Sequence, residues 1–259
     1  MHPMLSIAVR AARAAGNHIA RHVDRVDQLT VKTKSRNDFV SEVDQKAEEI
    51  ILEALHRSYP QHGFLGEESG AHQEDSEYTW IIDPLDGTTN FLHGIPHFAV
   101  SIALKHKNTL EHGVIYNPIS QELYTASRGS GASLNNRRIR VSGRNGLNAA
   151  VLGTGFPFRQ NTDVENYLPT LGEFMSKTAG IRRAGSAALD LAFVAAGRLD
   201  GFWEPDLKPW DIAAGALLVQ EAGGLVCDMS GGDQWLESGD IVAASPKVLT
   251  EMLQILNPR

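Results

Sequence analysis

Residues 80–91, Trp-Ile-Ile-Asp-Pro-Leu-Asp-Gly-Thr-Thr-Asn-Phe, constrain this chain more than any other stretch. Trp80, Ile81 and Ile82 are a β-favouring apolar run, and it gives way at once to Asp83 and then Pro84, which cannot donate to a sheet ladder. The pattern predicts a buried strand that ends at an acid. Asp86 follows, and Gly87, Thr88 and Thr89 lead into Asn90 and Phe91 as the start of a short helix whose first amides lack partners within the helix. Two carboxylates beside such N–H donors suit a divalent cation bridging to a phosphate. The same spacing also fits a polar turn in which Asp83 and Asp86 only cap backbone, and this stretch alone leaves both readings open.

The whole chain narrows the chemistry. Its 259 residues suffice for one large domain or two modest ones. No apolar run approaches the ~18 residues of a membrane span, and charges interrupt the apolar residues of the N-terminus, unlike a signal peptide. The single cysteine, Cys227, excludes an intrachain disulfide and fits a reducing, cytoplasmic setting; between Val226 and Asp228 it reads as a small core residue. A net charge of −7 without a basic stripe argues against nucleic acid as the primary ligand, the short clusters Arg137, Arg138, Arg140 and Arg182, Arg183 notwithstanding. All ten histidines lie at or before His112, and no His-x-x-x-His pair carries the adjacent carboxylate of a zinc hydrolase. The remaining metal-ligand candidates are carboxylates, which favour a hard ion.

Apolar spacing predicts an amphipathic helix over about residues 4–26. Val31 to Phe39 reads as polar loop. Ser41 and Asp44 form a Ser-x-x-Asp capping box for a second helix that Pro60 stops after about Tyr59. Phe64-Leu65 is a short strand running into the acidic turn Gly66-Glu67-Glu68-Ser69-Gly70. Segments His97 to Lys105, Thr109 to Tyr116 and Glu122 to Thr125, with Asn108, Asn117-Pro118, Gly129 and Gly131 as turns, predict an antiparallel meander. Asn135-Asn136 adds a turn before Ile139 to Ser142.

Ser142-Gly143-Arg144-Asn145-Gly146 is the expected junction between an N-terminal α+β domain, 1–145, and a C-terminal α/β domain, 146–259. Beyond it strands Val151 to Thr154, Gly201 to Trp203, Leu225 to Cys227 and Ile241 to Ala244 alternate with helices 164–177, Ser186 to Ala196, Ile212 to Ala222 and Lys247 to Leu256.

Glu67 and Glu68 follow a glycine at the end of an apolar run, much as Asp83 ends its own, and could equally form a solvated turn. Asp211 follows Trp210 and precedes Ile212-Ala213-Ala214-Gly215, where it reads as a helix N-cap, a role compatible with metal binding. Taken in order, Gly66-Glu67-Glu68-Ser69, then Trp80 to Phe91, then Trp210 to Gly215 with Glu221-Ala222-Gly223-Gly224, resemble the signatures of the inositol monophosphatase family over nearly the whole chain. Met1-His2-Pro3-Met4, Phe156-Pro157-Phe158 and Gly185-Ser186-Ala187-Ala188-Leu189-Asp190 resemble its bacterial SuhB-type branch.

The resemblance implies a layered α-β-α-β-α sandwich of the inositol monophosphatase and fructose-1,6-bisphosphatase type, and Mg²⁺-dependent hydrolysis of a phosphate monoester, myo-inositol 1-phosphate foremost. It implies two to three Mg²⁺ per site: Glu67, Asp83 and the Leu85 carbonyl on one ion, Asp83, Asp86 and Asp211 on a second, and Glu67 on a weaker third. Gly87 and Thr88 amides would hold the phosphate, while Thr88 with Asp44 would orient the attacking water and take its proton. Asp86, Glu204, Asp211 and backbone near Ala187 would receive the polyol, and Lys34 and Asp38 would border the metal site from a loop. Pro205-Asp206 departs from the family's usual pattern and is expected to place an extra acid by the sugar pocket, disfavouring a second phosphate.

The family also implies a homodimer and sensitivity to lithium. Two other readings stand beside the leading one. The SuhB-type branch is associated with the transcription machinery, which would make binding the main role, with Arg182 and Arg183 either a partner or dimer contact or ordinary surface arginines. Alternatively, the substrate is fructose 1,6-bisphosphate, histidinol phosphate or adenosine 3′,5′-bisphosphate, which the same ligands would serve.

Overall fold

The computed structural model describes residues 2–28, 31–35, 38–156 and 164–257, without the side chains of 27–40 and Asn166. Helix α1, Pro3–Ala20, begins with proline at its first position and the His2 ring as N-cap. It stops short of the expected residue 26, and a 3-10 segment, Val23–Gln28, follows. Val23 and Val26 still pack on the same core, so the apolar spacing runs on through the change of helix type.

The expected loop at 31–39 is instead a hairpin, β1 (Val31–Ser35) and β2 (Asp38–Ser41), forming a two-stranded sheet of its own. A hairpin standing apart from the main sheets needs no long alternating apolar face, which is the signal a sequence reading depends on. Helix α2, Glu42–Ser58, starts at the predicted capping box.

Next come β3 (Gly63–Gly66), β4 (Gly70–His72), β5 (Tyr78–Asp86), the one-turn α3 (Thr88–Leu92), β6 (Ala99–His106), β7 (Thr109–Asn117), β8 (Glu122–Ser127), β9 (Gly131–Leu134) and β10 (Arg137–Arg138). They build an eight-stranded sheet ordered β10-β9-β8-β7-β6-β5-β3-β4, antiparallel except where β3 meets β5. Strand β4 was not expected, and the turn at Asn135-Asn136 joins β9 to β10 rather than opening a strand at Ile139. Residues 139–142 leave the sheet, and the Val141 N–H donates to the Ala222 carbonyl at 3.2 Å.

The rest comprises β11 (Val151–Thr154), α4 (Val164–Lys177), β12 (Gly180–Arg182), α5 (Ala187–Ala195), β13 (Gly201–Glu204), α6 (Pro209–Glu221), β14 (Leu225–Cys227), α7 (Trp235–Ser238), β15 (Ile241–Ala244) and α8 (Pro246–Leu256). A second sheet runs β12-β11-β13-β15-β14. The short β12 and α7 carried no readable period.

The layers follow from which residues each face buries. On β5, Trp80 and Ile82 point into a core shared with α1 and α2, while Ile81 points the other way, toward α5 and α6. Apart from Asp190 on α5 and Asp211 on α6, those two helices bury apolar residues on nearly every side, because sheets cover them both above and below. Small residues permit the close approach: a Cβ on Gly113 of β7 would lie 2.9 Å from the Ala214 carbonyl of α6, and one on Gly215 would lie 2.5 Å from Leu191 of α5. A third core joins the outer face of the smaller sheet to α4 and α8. The molecule is thus the expected α-β-α-β-α sandwich. Cys227 is a buried thiol in it, pushed up to about 11 by burial. No helix among the described residues is long and apolar enough to cross a membrane.

Candidate active site

Strand β5 does not stop at Pro84. It continues to Asp86 through a bulge: Asp83 pairs with Ser101 and Asp86 with Ala99, so three steps on β5 match two on β6. Regular alternation would send residues 83 and 86 to opposite faces, and the extra residue brings them to one side. Proline is tolerated here because a bulge leaves a residue outside the ladder. The Asp83 carboxylate accepts the Leu85 N–H at 2.9 Å, fixing the bend. Gly87 then turns the chain at φ 97°, a conformation that favours glycine, and starts α3.

Asp211 comes to the same place from α6. It is the third residue of that helix, not its N-cap, and its carboxylate accepts the Lys208 N–H at 2.7 Å. Oxygens of Asp83, Asp86 and Asp211 lie within 4.8 Å of one another. Asp86 is tied down by α5, with Oδ2 accepting from Ser186 Oγ at 2.6 Å and from the Ala188 N–H at 2.7 Å. The first turns of α5 and α6 therefore meet at one acidic cluster, and Thr88 and Thr89 of α3 line the same cleft.

Burial, then the charges of Glu67, Asp86 and Asp211, push the Asp83 carboxyl well above the ordinary range. Burial pushes Asp86 up to about 6, against the hydrogen bonds from Ser186 and Ala188 that favour its charge. A divalent cation among them would relieve both effects, and carboxylates with the Leu85 carbonyl are the hard oxygen donors that such an ion takes. The residues fit the group.

Glu67 stands just beyond β3 and lines the same cleft, outside the 4.8 Å trio. Asp44 is 1% exposed and does both things its position allowed. Its Oδ2 accepts the Ser41 N–H at 2.9 Å as the capping box requires, and its Oδ1 lies 2.9 Å from Thr88 Oγ1. Thr88 Oγ1 is also 3.0 Å from the Leu85 carbonyl, so its one proton goes to one of the two. Burial raises the Asp44 carboxyl, making it a better proton acceptor than an exposed aspartate.

The cleft holds about 480 Å³, and Asp86, Gly87, Thr88, Ala187, Glu204 and Asp211 all border it. Glu204 is 9% exposed, and burial, then Asp211 and Asp190, raise its carboxyl well above the usual range. It presses so closely on Gly155 that a Cβ there would sit 1.8 Å from Glu204 Oε1. Arg183 borders the cleft too, with its guanidinium 5.5 Å from the Phe156 ring centre. Asp206 is not among the cleft-lining residues and pairs with Lys208 at 3.5 Å, so the expected extra acid by the sugar pocket loses its basis. The side chains of Lys34 and Asp38, and residues Pro157 and Phe158, lie outside the described residues.

Three contributors escaped the sequence reading. Asn90 donates from Nδ2 to the His97 carbonyl at 2.7 Å and the Ala184 carbonyl at 2.9 Å, joining α3 to the loop before α5. Ser186 was legible as a cap but not as a donor to Asp86. Glu48 binds the Glu68 and Ser69 amides; it lies four residues after Asp44, on the buried face of α2, and an acid in that stripe was the available signal.

The profile of the inositol monophosphatase family matches residues 1–257. The chain is 56% identical to the Nus factor SuhB of Pseudomonas aeruginosa, over 100% of this chain and 97% of that one. Among solved structures, the extragenic suppressor protein suhB of Bartonella henselae matches with a TM-score of 0.96 at 48% identity, covering 99% of each chain. An inositol monophosphatase from Anabaena (Nostoc) sp. PCC 7120 matches at 0.87 and 38% identity, over 97% of this chain and 94% of that one.

Proposed function

The chain belongs to the inositol monophosphatase family, and we propose that it hydrolyses phosphate monoesters in the cleft around Asp83, Asp86 and Asp211, with myo-inositol 1-phosphate the favoured substrate. The observation that carries this reading is the convergence of those three carboxylates beside the first turn of α3. Residues 1–145 supply most of the acids, and 146–259 complete the site with Asp211 and the polyol pocket.

Glu67, Asp83 and the Leu85 carbonyl would hold one Mg²⁺, Asp83, Asp86 and Asp211 a second, with Glu67 serving a third. Such ions, when bound, supply Lewis acidity toward the phosphoryl oxygens and lower the pKa of a water. Gly87 and Thr88 amides receive the phosphate. The Thr88 hydroxyl, held between Asp44 and Leu85, orients the attacking water and passes its proton to Asp44. Ser186 Oγ and the Ala188 N–H bind Asp86 through Oδ2 and hold its carboxylate at the edge of the cleft. Glu204, Asp211 and backbone at Ala187 receive ring hydroxyls.

A panel at fixed Mg²⁺ of inositol 1-phosphate, fructose 1,6-bisphosphate, histidinol phosphate and adenosine 3′,5′-bisphosphate, scored by phosphate release, tests the substrate. Asp86→Asn should abolish release from all four. Near-normal turnover in that variant would remove the metal assignment.

A second reading, binding to the transcription machinery, is favoured by the name Nus factor carried by the Pseudomonas aeruginosa relative. RNA polymerase pull-down with wild type and Asp86→Asn separates the two, since a scaffold keeps binding after catalysis is lost. A homodimer in the cytoplasm, inhibited by lithium, completes the proposal. Exposed Val164, Leu168 and Met175 on α4 are an apolar stripe that a second copy would cover, and light scattering reads the mass directly.

A further inference from the structure

The turn that carries Glu67 is held by a carboxylate from another element. Glu48, on α2, is 2% exposed. Its Oε2 accepts the Glu68 N–H at 3.0 Å and its Oε1 accepts the Ser69 N–H at 2.8 Å, so one side chain takes two successive amides. Gly66 rests against the same group: a Cβ there would lie 2.7 Å from both Glu48 oxygens. From the opposite side β5 holds the turn, with Gly66 in register with Ile82 and the Glu67 N–H donating to the Ile82 carbonyl at 3.1 Å.

The backbone on both sides of Glu67 is thus fixed, while the Glu67 side chain remains in the cleft wall. Hydrogen bonds from backbone amides to an ionised carboxylate are among the stronger ones, and both are lost or weakened together if the group moves. Asp44, one helical turn before Glu48, reaches Thr88 from the same helix. Helix α2 therefore sets two walls of the cleft with side chains that themselves need not touch the substrate.

We propose that Glu48 is a positioning residue for divalent-cation binding, holding the Gly66–Ser69 turn so that Glu67 meets the cation shared with Asp83. This rests on the reading of Glu67 and Asp83 as metal ligands. A ligand on a loosened turn loses affinity because ordering it must then be driven by binding, and partners that orient metal ligands contribute about 10–100-fold in affinity.

The test is Mn²⁺ binding to the full-length protein by calorimetry, for wild type, Glu48→Gln and, as a control, Glu49→Gln, whose exposed side chain pairs with Lys46. Glu48→Gln should bind Mn²⁺ at least about tenfold more weakly and exchange the Glu68 and Ser69 amides faster, while Glu49→Gln matches wild type. The Mg²⁺ concentration for half-maximal phosphate release should rise equally, with kcat at saturating Mg²⁺ retained. Wild-type Mn²⁺ affinity in Glu48→Gln would overturn the inference alone. Wild-type protein that takes up no Mn²⁺ would overturn the metal reading and the inference with it. Should Glu48→Gln fail to fold, Gly66→Ala, which forces a methyl against the same carboxylate, has to show the same loss of affinity, and wild-type affinity there would overturn it.

Discussion

Replacing Asp86 by asparagine should stabilise the metal-free protein, although it removes a carboxylate proposed to hold the cation. Burial raises Asp86 from the ordinary 3.8 to about 6. At ~1.4 kcal/mol per tenfold change in proton affinity, keeping it ionised costs the folded state at most about 3 kcal/mol. Water in the open cleft screens the group, and about half of that ceiling, ~1–2 kcal/mol, is the working figure. Because the folded pKa is raised, the cost is absent below the unfolded value, grows as pH climbs through about 6, and is complete above it. Asparagine can keep its carbonyl oxygen toward Ser186 Oγ and the Ala188 N–H, so α5 retains its anchor.

For a chain of this size ~1–2 kcal/mol corresponds to roughly 2–6 °C in melting temperature. Calorimetric scans in EDTA at pH 7.5 should therefore show Asp86→Asn melting above wild type, with the gap about halved at pH 5. Mg²⁺ at a hundred times its Kd adds about 2.7 kcal/mol to a protein that binds it. That gain should go to wild type and not to the variant, reversing their order. A variant that melts below wild type in EDTA at pH 7.5, or that gains as much from Mg²⁺, would refute the reasoning.

Thr88→Val removes the hydroxyl between Asp44 and the Leu85 carbonyl and should lower kcat by roughly a hundredfold or more without weakening Mn²⁺ binding; single-turnover phosphate release at saturating Mg²⁺ measures it. Gly155→Ala puts a methyl where Glu204 Oε1 now lies, and should raise KM for inositol 1-phosphate about tenfold with the Mg²⁺ requirement unchanged. An unaltered KM would take Glu204 out of substrate recognition. His112, lowered from 6.5 to about 4 by burial and then by His2, binds fewer protons folded than unfolded between those values. Stability should accordingly rise with pH across that window and be lost as pH falls through it, and His112→Gln should flatten the pH dependence of urea midpoints there.

Much of the fold is legible from the residues, and the exceptions have physical causes. Strands Leu225–Cys227 and Ile241–Ala244 and helix Val164–Lys177 sit where they were expected, because each is a run of one period closed by turn residues. Helices α5 and α6 were readable as helices, but their nearly all-round apolarity makes sense only once a sheet lies on each side. The hairpin at residues 31–41 was missed for the opposite reason, having no apolar alternation to read. In the site, Asp83 and Asp86 announce themselves through the strand that ends beside them. Nothing local links them to Asp211, and the family resemblance supplied that connection. Asn90 was invisible because its partners, the carbonyls of His97 and Ala184, are backbone groups that any sequence would offer.

The extra residue on β5 between Asp83 and Asp86 makes the meeting of these acids a matter of backbone register. Residues three apart share a face only while the bulge persists, so a change that let Pro84 and Leu85 rejoin the ladder in regular register would turn the two aspartates to opposite faces while both remained in the sequence. A relative that keeps both aspartates at this spacing but loses the bulge would keep the acids and carry no trio, so the proline between them and the Leu85 N–H bent onto Asp83 belong to the site as much as the carboxylates do.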